Sequence, residues 1–237
     1  MGRLPKMVSS NGLNMHSLFS RLNATGKIRD KTKSVYGDNS PYIYALKGLD
    51  GLSIRPDTIQ EMLVVENRLL GIFKKHNPNF DTIIPAPSGH TIAHDLAHRV
   101  SSTFDNLPVY GDLLKKETIQ GIFNQLDALS TDIAPNKAIQ HIRKVAKIQL
   151  KNLDNDGSKN FAIKSIYTKY RKYISPVIVD ELSLPQQNKP QRILLIDDQL
   201  SSGTTLISAY LALLAHYPNA KIEALTLFSC LFGRLSK

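Results

Sequence analysis

Two aspartates stand side by side, Asp197 and Asp198, directly after the apolar run Ile193-Leu194-Leu195-Ile196 and directly before Gln199-Leu200-Ser201-Ser202-Gly203-Thr204-Thr205. Ionised carboxylates only accept hydrogen bonds, so an adjacent pair suits a ligand rich in hydroxyl groups, such as a sugar. The Ser/Gly/Thr turn offers the opposite chemistry. Its backbone N–H groups, with the N-terminus of the helix expected over 206–216, present donors and partial positive charge to a phosphate. Acceptors for hydroxyls followed at once by donors for a phosphate describe a cradle for a phosphorylated sugar. The plainer reading is a solvated acidic turn at the end of an α/β-protein strand. The order of apolar run, acids, hydroxyls, glycine and helix favours the cradle.

Residues 193–205 resemble the phosphoribosyl-diphosphate (PRPP) signature of the type I phosphoribosyltransferases, a pattern of four apolar residues, two acids and a Ser/Thr/Gly loop. Gln199 departs from it, where the family usually has an apolar residue or serine. The resemblance implies a role for each position. Asp197 and Asp198 would hold the ribose hydroxyls as the catalytic pair. Gln199, Leu200, Ser201, Ser202, Gly203, Thr204 and Thr205 would form the loop for the 5′-phosphate. Mg²⁺ would arrive on the substrate, with no direct protein ligand.

A second stretch, Phe80-Asp81-Thr82-Ile83-Ile84-Pro85-Ala86-Pro87-Ser88-Gly89-His90, runs from a short apolar strand into a Pro-x-Pro-Ser-Gly loop. Small residues let backbone N–H groups approach an anion closely. The stretch is similar to the first strand and diphosphate loop of the same family, especially its ComF-like members, and the resemblance assigns Pro87, Ser88, Gly89 and His90 to the diphosphate. ComF-like loops carry arginines here, whereas this one is followed only by His90, His94 and His98. Their spacing raises a metal site. Asp95, the nearby carboxylate, points to a different side, which leaves His90 facing solvent or diphosphate. After a strand expected over 107–110, the family begins a mobile hood that often lends the diphosphate a cation. Lys115 or Lys116 is the candidate lid residue, against the alternative of lysines snorkelling on a surface turn.

Composition narrows the classes. A chain of 237 residues with 42% hydrophobic content supports one sizeable domain with elaborations and argues against disorder. The single cysteine, Cys230, excludes an internal disulfide. With no apolar run of signal-peptide or membrane-spanning length, the expectation is a soluble, cytoplasmic protein without a membrane partner. A formal charge of +10 favours anionic company. The excess is concentrated: residues 1–50 hold eight Lys/Arg against three acids, and 143–172 hold nine against two.

The elements that must position these groups follow from the patterning. Residues 1–48 show no sustained period and no helix-turn-helix pattern. Lys27, Arg29, Lys31 and Lys33 would share a face if that segment were a strand, and 36–41 is a turn signal. Residues 42–47, Tyr-Ile-Tyr-Ala-Leu-Lys, suit a short strand or helix, and a tyrosine-rich segment ending in Leu-Lys also precedes the core in ComF-like proteins. Arg55-Pro56-Asp57 opens a helix that Asn77-Pro78 ends. Residues 121–173 are too long for a loop and need structure of their own, including an amphipathic helix over 137–151. Residues 160–173 interleave Phe161, Tyr167, Tyr170 and Tyr173 with Lys164, Lys169, Arg171 and Lys172. Such a pattern suits either a nucleic-acid strand or a segment that buries aromatics and wets lysines. Residues 176–179 and 221–229 suit strands.

The expected fold is α/β, an open and mostly parallel sheet flanked by helices, type I phosphoribosyltransferase-like, with an N-terminal or inserted hood. Its expected layout is an accessory segment 1–79, a core 80–230 with an insertion at about 117–175, and a tail 231–237. The implied function is transfer of phosphoribosyl from PRPP to a nitrogen nucleophile, a base or a nucleic acid, with Mg²⁺ and release of diphosphate. The alternative is a PRPP- or nucleotide-sensing regulator, or a nucleic-acid-binding protein, on the same fold. The basic tract 137–172 makes single-stranded nucleic acid a candidate partner, and the family resemblance implies a homodimer.

Overall fold

The computed structural model describes residues 6–10, 12–20, 41–49, 51–77, 79–130, 132–185 and 189–229. The basic alternation at Lys27–Lys33, the turn signal at 36–40, Pro78 and Cys230 lie outside the described residues. In chain order the strands and helices are β1 (Lys6–Ser10), β2 (Leu13–Ser20), α1 (Pro41–Leu46), α2 (Pro56–His76), β3 (Thr82–Pro85), α3 (Ile92–Thr103), β4 (Leu114–Lys116), α4 (Ile119–Ala128), α5 (Asn136–Asn152), β5 (Val177–Val179), β6 (Arg192–Leu200), α6 (Thr204–His216) and β7 (Lys221–Ser229). The chain divides into two compact units. One comprises Met1–Tyr110, Pro190–Ser201 and Ala220–Lys237, the other Gly111–Lys189 and Ser202–Asn219.

The first unit is built on a five-stranded sheet of order β1-β2-β7-β6-β3. β2, β7, β6 and β3 run parallel, and β1 adds an antiparallel edge. Ile193, Leu194, Leu195 and Ile196 are all fully buried, as a strand covered on both faces requires. Leu194 and Ile196 of β6, with Leu225 and Leu227 of β7, pack against Leu70 and Phe73 of α2 and Leu96, Ala97 and Val100 of α3. Phe73, Phe80 and Phe104 meet in that core with ring centroids 6.0–6.1 Å apart. Asp57 sits in the first turn of α2 and Lys74, Lys75 and His76 in its last, each complementing the helix dipole. One ion pair lies inside this packing: Glu66 of α2 is fully buried and accepts from Arg99 Nε of α3 at 2.5 Å and Nη2 at 3.3 Å.

Three sequence expectations change in this unit. The described residues within 1–48 include the strands β1 and β2, and β2 is interior. Its alternation is blurred because His16 and Ser17 are buried with the apolar residues, His16 being held by Glu223 Oε2 of β7 at 2.8 Å. Residues 107–110 form one parallel bridge, Ile83↔Val109, rather than a strand. Pro108 has no N–H to donate; its carbonyl accepts from Ile83 N at 3.0 Å, and Tyr110 N donates to Ile83 O at 3.0 Å. β6 does not end at the acids but pairs with β7 as far as Leu200↔Ser229. Residues 42–46 are helical.

In the second unit α4 and α5 pack Ile119, Ile122, Leu126, Ile142 and Ala146 with Phe161, Ile166 and Ile174. Thr118 Oγ1 caps α4 by accepting from Gly121 N at 2.9 Å. Gln125 ties α4 to the chain entering β5, accepting from Ser175 N at 2.8 Å and donating to Ser175 O at 3.0 Å. β4 and β5 form a small antiparallel ladder. Residues 160–173 are neither strand nor α-helix. They make two 3₁₀ turns, Ile163–Ser165 and Thr168–Tyr173, pinned by Arg171, whose Nε donates to Ile166 O at 2.9 Å and Nη2 to Lys164 O at 3.1 Å.

Candidate functional site

The acid pair lies where two neighbouring parallel strands part. Pro85 of β3 is level with Ile196 of β6, and Ala86 N donates to Ile196 O at 2.6 Å. Beyond that bond β3 gives way to Pro87, Ser88, Gly89 and His90, while β6 continues into Asp197 and Asp198. From β3 the chain goes first to the outer bridge at Val109 and later to β6 on the other side of β3. Strand order therefore reverses between β3 and β6, and the crevice at the carboxyl ends of such strands is where open α/β sheets take ligands.

The two carboxylates differ sharply. Asp197 is buried and its Oδ1 accepts from Asp198 N at 2.8 Å. Burial first, and the charge of Asp198 second, push its carboxyl well above the ordinary value. Asp198 instead meets an ammonium: Lys47 Nζ is 2.6 Å from its Oδ2, with both side chains only 12% exposed. The contact is a charge pair without hydrogen-bond alignment, so Oδ2 keeps its acceptor capacity.

Lys47 directly follows a short, well-anchored helix, α1. Ile43 is buried, and Tyr42 packs on Phe228 with centroids 5.8 Å apart and hydrogen-bonds Met62 Sδ. Gly48 and Gly51, at φ +61° and +66°, turn the chain away just after the lysine, a conformation that glycine adopts without strain. The sequence pattern marks the segment ending in Leu46-Lys47 but assigns the lysine no role. No spacing rule predicts its meeting with Asp198.

In the loop after β3, His90 N donates to Ser88 Oγ at 3.2 Å, a local turn that leaves Gly89 exposed. His90 and His94 are half-buried and His98 is exposed. Among the described residues no group of three or more His, Cys, Asp or Glu could hold a metal.

Gln199 and Leu200 belong to β6, and Leu200 is fully buried, so the loop begins at Ser201. Ser202, Gly203, Thr204 and Thr205 lie in the second unit. There Gly203 takes φ +72° and precedes α6, whose first turn has no side-chain cap, leaving N–H groups open to an acceptor. Ser202 Oγ and Thr204 Oγ1 are 3.0 Å apart, and Arg171 Nη1 donates to Ser202 Oγ at 3.4 Å. Arg171 stood in the sequence only as one of a crowd of basic residues. In the same unit Lys115 Nζ lies 2.5 Å from Asp180 Oδ2 and holds that carboxyl below its usual value. Lys116 is half-buried on the same strand.

No helix among the described residues is long and apolar enough to cross a membrane. No protein-family model, curated protein or solved structure matches the chain.

Proposed function

We propose that the chain binds PRPP as a phosphoribosyltransferase of type I character. The observation that carries this reading is the acid pair Asp197–Asp198 on the central parallel strand β6 just past the end of its pairing with β3, beside the Ala86–His90 turn, where strand order reverses. Asp197 and Asp198 would hold the ribose hydroxyls, burial of Asp197 favouring its protonated form. Ser201, Ser202, Gly203, Thr204 and Thr205 would take the 5′-phosphate, converting remote binding energy into orientation of C1. N–H groups of Ser88 and Gly89, with the His90 side chain, would receive the diphosphate. Lys47 already supplies the positive charge beside Asp198, so the donor set suits a magnesium ion held mainly by the ligand's own oxygens. When bound, that ion neutralises part of the diphosphate charge.

In the proposed transfer a nitrogen lone pair forms a bond to C1 as the C1–O bond to diphosphate breaks. The electron pair leaves on the diphosphate oxygen, and the nitrogen gives up its proton. A second reading, a PRPP sensor without transfer, draws on the absence of arginine and lysine from residues 85–90. Calorimetry with PRPP and Mg²⁺ tests the shared binding step: micromolar-range heat that vanishes in the Asp197→Asn/Asp198→Asn variant is expected, and unchanged affinity in that variant would overturn the site. Diphosphate release from labelled PRPP, with bases and nucleic acids as acceptors, separates enzyme from sensor.

A further inference from the structure

The second unit carries a surface that the PRPP reading leaves unused. α5 has five basic residues and no acid. Arg143 is committed to Asp127 Oδ1 at 2.7 Å. Lys137, Lys144, Lys147 and Lys151 are exposed and, among the described residues, pair with no carboxylate. Lys137, Lys144 and Lys151 recur every two turns, a stripe about 21 Å long at helical rise. The opposite side of the helix, Ala138, Ile142 and Ala146, is buried, so the stripe faces solvent.

Beside the stripe stands an aromatic platform. His141 lies four residues after Lys137 and three before Lys144, on the same side of the helix. Its ring stacks on Tyr167 at 4.1 Å between centroids and 14° between planes, and Tyr170 adjoins it at 5.4 Å. Tyr167 N donates to His141 Nε2 at 3.3 Å, which fixes the stack from the backbone. Tyr167 is nevertheless 62% exposed, although one ring face lies against His141 and the Tyr170 ring stands 6.1 Å away. Lys169 Nζ lies 4.9 Å from the centroid of Tyr170, adding a cation to the rim. A tyrosine contributing to folding would be expected to bury its ring. This one is immobilised at the surface next to unpaired ammonium groups.

We propose that the α5 stripe and the His141–Tyr167–Tyr170 platform form a binding surface for single-stranded nucleic acid, with phosphates on Lys137, Lys144, Lys147 and Lys151 and a base stacked on Tyr167. Charge complementarity requires a polyanion, and the platform selects one with exposed planar bases, which a duplex does not offer. The inference stands apart from PRPP binding, because it uses none of the acid-pair residues.

Fluorescence anisotropy of labelled oligodeoxythymidine with the full chain tests it, at low and at physiological salt. Expected are sequence-tolerant binding that weakens steeply with salt, and about a tenfold or greater loss in Lys137→Glu/Lys144→Glu/Lys151→Glu. Tyr167→Ala should lose about tenfold while Tyr167→Phe keeps wild-type affinity. Tyr167 is exposed and its backbone N–H survives substitution, so the fold should persist, which circular dichroism checks. Wild-type affinity in Tyr167→Ala, duplex DNA bound as tightly as the single strand, or no loss in the lysine variant would each overturn the proposal. Heparin provides a control: its binding should fall in the lysine variant and be unmoved by Tyr167→Ala.

Discussion

Lys47 Nζ sits 2.6 Å from Asp198 Oδ2 on β6, where the preceding residue, Asp197, is buried. Two adjacent, poorly solvated carboxylates repel each other, and the fold answers in two ways: one acid acquires a counter-ion, and the other has its protonated form favoured. Removing the counter-ion leaves a nearly buried charge uncompensated, a change that costs about 3 kcal/mol in buried pairs. Lys47→Met should therefore lower stability by roughly 2–3 kcal/mol in urea unfolding, and Asp198→Asn in the same chain should restore much of it. PRPP affinity should fall in both single variants and stay low in the double. Stability losses that simply add would show that the two side chains do not interact.

Asp197 makes stability depend on pH in a definite direction. Its folded pKa is raised from an ordinary value of 3.8, so between the two values the folded chain holds a proton that the unfolded chain releases. Unfolding free energy must then fall as pH rises from about 4 through the raised value, and level off above it. Asp197→Asn removes this dependence. Relative to wild type the variant should gain stability across that window and keep the gain at higher pH, as thermal melts over a pH series would show. A gain that is the same below pH 4 would assign the effect to packing instead.

How much of this was legible beforehand depends on whether the determinant was local. The run Ile193–Ile196 reads as a doubly covered strand because burial on both faces leaves no polar position. Pro56, Asp57 and the Lys74-Lys75-His76 end of α2 carry their capping roles in their own spacing. β2 was hidden because His16 and Ser17 are buried polar residues, His16 satisfied by Glu223 from a strand at the other end of the chain. Lys47 and Arg171 escaped for the same reason. Each owes its place to a residue distant in sequence, and a basic side chain in a basic tract carries no local sign of its partner. At 107–110 the apolar pattern outweighed Pro108 in the reading, whereas in the sheet the missing N–H limits the segment to one bridge.

The Glu66–Arg99 pair offers a test of the first unit alone. Glu66 is fully buried, with Arg99 as its hydrogen-bonding cation. Arg99→Met would strand the carboxylate in the α2–α3 packing, at a cost of about 3–5 kcal/mol. Replacing both, as Glu66→Leu/Arg99→Met, should recover most of that loss, because apolar side chains of similar volume remove the desolvation cost. Chemical denaturation of the two variants reads the difference. A double variant no better than Arg99→Met would mean that the pair contributes through shape rather than charge.

Arg171 bears on the turn before α6 in the second unit. Two of its N–H groups are spent on the carbonyls of Ile166 and Lys164, which fixes the guanidinium, and Nη1 is turned toward Ser202 Oγ at 3.4 Å. A fixed guanidinium beside two hydroxyls and an uncapped helix start is suited to a phosphate dianion, since charge-assisted hydrogen bonds are the stronger kind. Arg171→Met should weaken binding of ribose 5-phosphate and of PRPP by about tenfold, while Ser202→Ala, which leaves the guanidinium anchored, should weaken both less. Because Arg171 also pins the 3₁₀ turns, thermal melts must accompany the titrations, and Arg171→Lys should retain part of the affinity through its charge. Equal affinity of wild type and a folded Arg171→Met chain for ribose 5-phosphate would remove Arg171 from the phosphate site, leaving its two carbonyl bonds as its role.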